Sequence, residues 1–151
     1  MDQIDKSLLF ALQDDSARSI AELAEFVGAS TSACHRRIKS LESAGLIIRY
    51  SAVLDPQRLG LNLQAFVEIT LTSQSNEAMD AFEQAVGEFR DILECHLMSG
   101  NADYILRIAA SDLEQFDRIH RDCLSRLPGV SAMRSSFAIR TIKSWSGYPA
   151  G

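Results

Sequence analysis

Ser30-Thr31-Ser32-Ala33-Cys34-His35-Arg36-Arg37-Ile38-Lys39-Ser40-Leu41-Glu42-Ser43-Ala44-Gly45 reads as one helix with two unlike faces. At 3.6 residues per turn, Cys34, Ile38 and Leu41 fall on one side and Ser32, His35, Arg36, Lys39 and Ser43 on the other. The first side packs, and the second carries hydrogen-bond donors. Ser30 is placed to cap the free amides at the start, and Gly45 can adopt the left-handed conformation that stops the helix after Ala44. Cys34 shares the stripe of Ile38 and Leu41 and reads as a small core residue with no chemistry of its own.

Working outward, Ser19-Ile20-Ala21-Glu22 is a capping box, and Ile20, Leu23, Ala24 and Val27 form the apolar face of the helix it starts. Gly28-Ala29-Ser30 ends that helix. Before it, Asp2 caps a helix with Asp5 at its third position, and Ile4, Leu8, Ala11 and Leu12 recur at helical spacing until Asp14-Asp15-Ser16. A short helix, a turn containing glycine and a second helix give the spacing of a helix-turn-helix, which makes the opening stretch a DNA recognition helix. Arg36, Lys39 and Arg49, with the hydroxyls of Ser30, Thr31 and Ser32 and the imidazole of His35, are the residues expected to meet double-stranded DNA. Arg37 lies between the two faces, placed either to contact phosphate or to brace the domain through a carboxylate. Leu46 to Leu54 is branched and aromatic without helical period and is expected as two short strands or a β-wing. Pro56 suits the first turn of a short helix and Gly60 its exit, so a boundary is expected near Gly60 to Asn62.

The remaining chain alternates strand and helix patterns. Ala65 to Leu71 places Ala65, Val67, Ile69 and Leu71 on one side of a half-buried strand. Ser75 caps a helix through Met79, Phe82, Val86 and Phe89. Ile92 to Met98 and Tyr104 to Ala110 read as a hairpin around Ser99-Gly100-Asn101-Ala102-Asp103. Ser111-Asp112-Leu113-Glu114 reads as a second capping box, opening a helix whose face is Leu113, Phe116, Ile119, His120, Cys123 and Leu127, ended by Pro128-Gly129. Val130 to Ile142 supplies the last strand. The order strand, helix, strand, strand, helix, strand is ferredoxin-like, so the expected class is α+β, a winged helix-turn-helix over residues 1–60 followed by a βαββαβ domain over 61–151. Val67, Ile69, Leu106 and Ile108 cannot all face the helices if their strands alternate differently, and dimerisation through the sheet would cover the remainder.

Composition narrows the function classes. With 46% hydrophobic and 23% charged residues over 151, the chain has the balance of an ordinary globular protein. Its net charge of −5 opposes nucleic-acid binding through bulk charge, yet Ser30 to Tyr50 holds Arg36, Arg37, Lys39 and Arg49 against Glu42 alone. One such patch on an acidic chain binds DNA weakly, and a dimer presenting two binds better. Three widely spaced cysteines suggest neither a disulfide framework nor a zinc site. The acidic opening and the lack of a long apolar run predict no leader and no membrane span, hence a cytoplasmic, nucleoid-associated protein. His96 and His120 are isolated, no phosphate loop of recognised spacing is present, and no enzyme is expected.

Several short motifs, taken together and in order, resemble the Lrp/AsnC family of leucine-responsive and asparagine-responsive (feast/famine) transcriptional regulators. They are Asp2-x-x-Asp5, Leu23-Ala24, Arg37-Ile38-x-x-Leu41-Glu42-x-x-Gly45-x-Ile47, Leu54-Asp55-Pro56 with Leu59-Gly60, and Gly100-x-x-Asp103-Tyr104. The resemblance implies an N-terminal operator-binding domain and a C-terminal ligand-sensing domain that forms homodimers, often stacked into octamers. It implies an amino-acid effector and no cofactor or metal. In the family the Gly-x-x-Asp turn lies beside the effector, so Gly100 and Asp103 carry over directly, and Met98, Ser99, Asn101 and Tyr104 follow by proximity. Ser99 and Ser135-Ser136, which stand where threonine is frequent and keep its hydroxyl, are expected with them among the effector-binding residues. Backbone amides near Gly100 would take the effector carboxylate and Asp103 its ammonium group. The alternatives are an architectural DNA-binding protein without a ligand and, more remotely, a related haem-pathway decarboxylase acting on a tetrapyrrole.

Overall fold

The computed structural model describes residues 1–149. Two compact units form: Met1–Val53 together with the chain from Ile142 onward, and Leu54–Thr141. The first holds α1 (Gln3–Asp14), α2 (Ile20–Val27) and α3 (Thr31–Ser43). Each begins where a side chain satisfies its free amides. Asp2 and Asp5 cap α1 reciprocally, Ser19 and Glu22 do the same for α2, and Ser30 accepts from the Ala33 amide at the start of α3. Gly28 and Gly45, at φ 68° and 73°, provide the left-handed residues that end α2 and α3. The three helices bury Leu8, Ala11, Leu23, Ala24, Cys34 and Ile38 against one another.

The chain beyond Ile142 completes this unit through α1. The Gln13 side-chain amide donates to the Tyr148 carbonyl at 3.0 Å and accepts from the Tyr148 amide at 2.7 Å. Gly147, at φ +104°, makes the approach feasible, because a Cβ there would lie 2.6 Å from Gln13 Oε1.

Leu46 to Leu54 forms no strand, unlike the sequence expectation. Ile47 packs on the helical core and the Tyr50 hydroxyl donates to Glu42, while Ile48 and Val53 are almost fully exposed. A two-stranded ribbon without a third strand or a packed face has little to hold it, and this segment stays extended and unpaired. Asp55 to Gly60 is a turn rather than a helix, with the Asp55 carboxylate accepting from the Gln57 and Arg58 amides.

The second unit is a four-stranded antiparallel sheet with helices on one face. Its elements are β1 (Leu63–Leu71), α4 (Asn76–Glu88), β2 (Ile92–Leu97), β3 (Tyr104–Ala110), α5 (Leu113–Asp122) and β4 (Val130–Ala138), in spatial order β2-β3-β1-β4. This is the ferredoxin-like βαββαβ arrangement. The central pairing sets Ala65 opposite Ile108, Val67 opposite Leu106 and Ile69 opposite Tyr104. Directly paired residues share a face, so all of these point at the helices and are buried. The strands alternate in step, so Val67, Ile69, Leu106 and Ile108 all face the helices, and the condition under which some would turn to the other face is not met. The other face carries Phe66, Glu68, Ile105 and Arg107.

Two ends differ from the sequence reading. The last strand stops at Ala138, opposite Gln64, because β1 offers almost no partner beyond it, and Ile139 and Ile142 are exposed. The last helix stops at Asp122 and tightens into a 3₁₀ turn over Leu124–Arg126, which buries Leu124 and Leu127 while Leu113 stays exposed.

The helix caps make stability depend on pH. Glu22 is held below the ordinary carboxylate range by the Ser19 hydroxyl and amide, and Asp112 by the Gln115 amide and the Ser111 hydroxyl. A depressed carboxylate stabilises the fold above its unfolded value, and that contribution is lost as pH falls through the folded value. Melting temperature should therefore decline on acidification below about pH 4.5. Ser19→Ala should lower Tm at neutral pH and flatten that decline, and an unchanged acid profile would exclude the cap as its source.

Candidate functional site

On α3 the buried stripe is Cys34, Ile38 and Leu41, as expected, and Ser32, Arg36, Lys39 and Ser43 occupy the solvent side. Ser30 and Thr31 open the helix, with the Ser30 and Ser32 hydroxyls 3.2 Å apart. The basic residues are not equivalent. Among the described residues Arg36 has no carboxylate partner within ion-pair distance. Lys39 Nζ pairs with Glu42 Oε2 at 2.7 Å, and the Tyr50 hydroxyl donates to Glu42 Oε1 at 3.0 Å. Lys39 and Tyr50 together hold the Glu42 carboxyl below its ordinary range. Arg37 Nη1 lies 2.8 Å from both Asp2 and Asp5, which is the bracing arrangement of the two that its position allowed. His35 and Arg49 are exposed. Arg36, Arg37, Ser40, Leu41 and Asp5 line a cleft of about 340 Å³ along the α1 side of α3.

In the sheet unit, the β2–β3 turn brings Met98, Ser99, Asn101 and Ala102 beside Glu68 and Ile105 around a cleft of about 200 Å³. Gly100 stands at φ 136°, in the region that favours glycine, and so permits the turn. Asp103 locks it. Its amide donates to the Ile69 carbonyl and its carbonyl accepts from the Met98 amide, both at 2.8 Å. The Asp103 carboxylate accepts from the Leu71 amide at 2.7 Å and from the Gln74 side chain at 3.1 Å.

The other residues expected here separate. Tyr104 turns into the helix-side core, where it stacks on Phe82 and its hydroxyl donates to Glu83 at 2.6 Å, and burial pushes its pKa upward. Ser135 is paired with Val67 on the helix side and Ser136 with Phe66 on the open side, and neither lines the cleft. Glu68, Ala102 and Ile105 were not singled out from sequence. Glu68 is readable as a solvent-side residue of β1, but its place beside the turn follows from the β1–β3 register, which is non-local.

The three cysteines are free. Burial raises the pKa of Cys95 and pushes that of Cys123 up to about 11. Among the described residues no helix is long and apolar enough to cross a membrane.

Residues 1–48 match the model of a winged helix-turn-helix DNA-binding domain, and residues 64–147 that of the Lrp/AsnC ligand binding domain. This chain belongs to the Lrp/AsnC family. It is 37% identical to the DNA-binding transcriptional activator DecR of Escherichia coli, over 99% of this chain and 98% of that protein. It is equally identical to the leucine-responsive regulatory protein of the same organism, over 95% and 87%. A transcriptional regulator of Neisseria meningitidis, solved as an L-methionine complex, superposes with a TM-score of 0.93 at 33% identity, covering 99% of this chain and 96% of that one. As a member of the Lrp/AsnC family, the chain is a DNA-binding transcriptional regulator with a ligand-binding domain, and not an enzyme.

Proposed function

We propose that the helical unit of residues 1–53 and 142–149 binds operator DNA sequence-specifically and that the sheet unit of residues 54–141 senses an amino acid and assembles the protein. The observation that carries the reading is the solvent side of α3, where Arg36, without a carboxylate partner among the described residues, stands between Ser32 and Lys39 on a helix whose opposite stripe is buried. Ser30, Thr31 and Ser32 at its N-terminal end address base edges and the nearest phosphates, His35 and Arg36 reach further into the groove, and Lys39 and Arg49 neutralise backbone charge. Two such helices in a homodimer read major grooves about 34 to 36 Å apart, or a multiple of that. Dimers stack to an octamer, and the protein works in the cytoplasm on the nucleoid.

The effector enters the cleft of Met98, Ser99 and Asn101, beside the turn that Gly100 permits. Backbone amides of the turn receive its carboxylate, and Glu68, the carboxylate lining the cleft, is better placed than Asp103 to receive its ammonium, because Asp103 is engaged by Leu71 and Gln74. The Neisseria complex supports an amino acid as the ligand class. An effector that binds one assembly more tightly than another shifts the population of DNA-binding forms.

Calorimetric titration of the full chain with L-methionine and the other protein amino acids, followed by sedimentation and operator footprinting with and without each, tests this. The expected result is at least one amino acid that binds, alters sedimentation and changes the footprint. A footprint unaffected by any of them would leave an architectural DNA-binding protein.

A further inference from the structure

Asp2, Asp5 and Arg37 form one closed network. The Asp5 amide donates to Asp2 Oδ1 and the Asp2 amide to Asp5 Oδ2, each at 3.0 Å. Capping thus uses one oxygen of each carboxylate. The other two, Asp2 Oδ2 and Asp5 Oδ1, both accept from Arg37 Nη1 at 2.8 Å, so a single nitrogen bridges them. The Arg37 side chain is 29% exposed and that of Asp5 16%. The residues joined are 35 and 32 positions apart, so the network fixes a tertiary relation between the start of α1 and the middle of α3.

The helical core joins the three helices through Leu8, Ala11, Leu23, Ala24, Cys34 and Ile38, with Leu41 also buried on α3. Apolar burial is non-directional, so it names no partner atom for a particular rotation of α3, whereas the Arg37 network does. Arg37 sits on the flank of α3, between the buried stripe and the solvent side, where a polar pin opposes rotation of the helix about its axis. A recognition surface must be held within about 10 to 20° to present its side chains productively. The Arg37 charge, meanwhile, faces two carboxylates, which repel an approaching phosphate.

We propose that Arg37 is a positioning residue for DNA recognition: it keys α3 to the capped N-terminus of α1, sets the rotation at which Ser32, Arg36 and Lys39 are presented, and neutralises no phosphate itself. The inference rests on α3 being the recognition helix. It carries an unusual sign. Neutralising an acid beside a DNA-binding surface ordinarily tightens binding, by removing repulsion. Here, neutralising Asp5 weakens it.

The full-length protein is titrated against a duplex selected from a random-sequence pool by the wild-type protein, and against an unselected duplex, between about 50 and 200 mM salt. Asp5→Asn keeps a side-chain oxygen for the Asp2 amide, removes one of the two charges that hold Arg37, and turns an amide NH2 toward the guanidinium where a carboxylate oxygen stood. Asp5→Asn and Arg37→Gln are each expected to weaken binding to the selected duplex by about tenfold, and the double variant no further, as for two ends of one contact. The ratio of selected to unselected affinity falls, and the dependence of log affinity on log salt keeps the wild-type slope.

A slope shallower by about one in Arg37→Gln marks a phosphate contact and overturns the proposal. So does Asp5→Asn binding as tightly as wild type, and this variant decides the question where Arg37→Gln fails to fold. Arg36→Ala, run alongside, separates a failure of this proposal from a failure of the recognition-helix assignment, because wild-type affinity and slope in that variant would remove α3 from the interface whatever Arg37 does.

Discussion

Replacing Arg36 and Lys39 together by alanine is expected to cost at least about 30-fold in operator affinity, since each lost base or phosphate contact is worth about 1 to 3 kcal/mol. Arg36 is the decisive member. It has no carboxylate partner among the described residues, so its positive charge is uncompensated before DNA arrives. Lys39 must leave Glu42, but that pair lies at the surface within one helical turn, so breaking it costs little. In a chain of net charge −5 little other positive charge is available to take over. Gel-shift titration across a salt series should show a slope shallower by about one per protomer, from Lys39, and a relaxed sequence preference from the loss of Arg36. Unchanged affinity and slope would dismiss this face of α3.

Phe82→Ala should be the most destabilising single change in the sheet unit, at about 3 to 5 kcal/mol. The Phe82 side chain is fully buried on α4, and its ring lies 4.6 Å from that of Tyr104 on β3. Deleting it opens a cavity and also removes the support of a tyrosine whose hydroxyl is committed to Glu83. Two separate apolar clusters underlie the two units, so chemical denaturation followed by probes in each need not be a single transition. The expected loss appears in the transition of the sheet unit, read from its one tyrosine, Tyr104. A midpoint shift corresponding to less than about 1 kcal/mol would mean that α4 is not an integral layer of this core.

Local chemistry was legible in the sequence and pairing was not. Ser19, Ser30 and Gly45 announce helix ends because a cap is decided within three or four residues, whereas the box read at Ser111 to Glu114 lies one residue further on, with Asp112 capping through the Gln115 amide. The basic side of α3 follows from helical period alone. In contrast, nothing local told whether Arg37 meets a phosphate or a carboxylate, since its partners stand at the beginning of the chain. Tyr104 adjoins the Gly100 turn in sequence, yet the register that sets it opposite Ile69 turns its ring into the core. The same register unites Val67, Ile69, Leu106 and Ile108 on one face and brings Glu68 to the cleft. Strand pairing is also what Leu46 to Leu54 lacks: its residues favour strands, but propensity without a partner leaves the segment unpaired.

The Gln13–Tyr148 clasp has a consequence for how the molecule is made. α1 is translated early, but the backbone that satisfies its Gln13 amide is separated from it by 135 positions. The DNA-binding unit can therefore assemble its helices during synthesis but cannot close until the sheet domain has been made. A gene fragment that stops after the recognition helix would encode the reading surface without its last fastening.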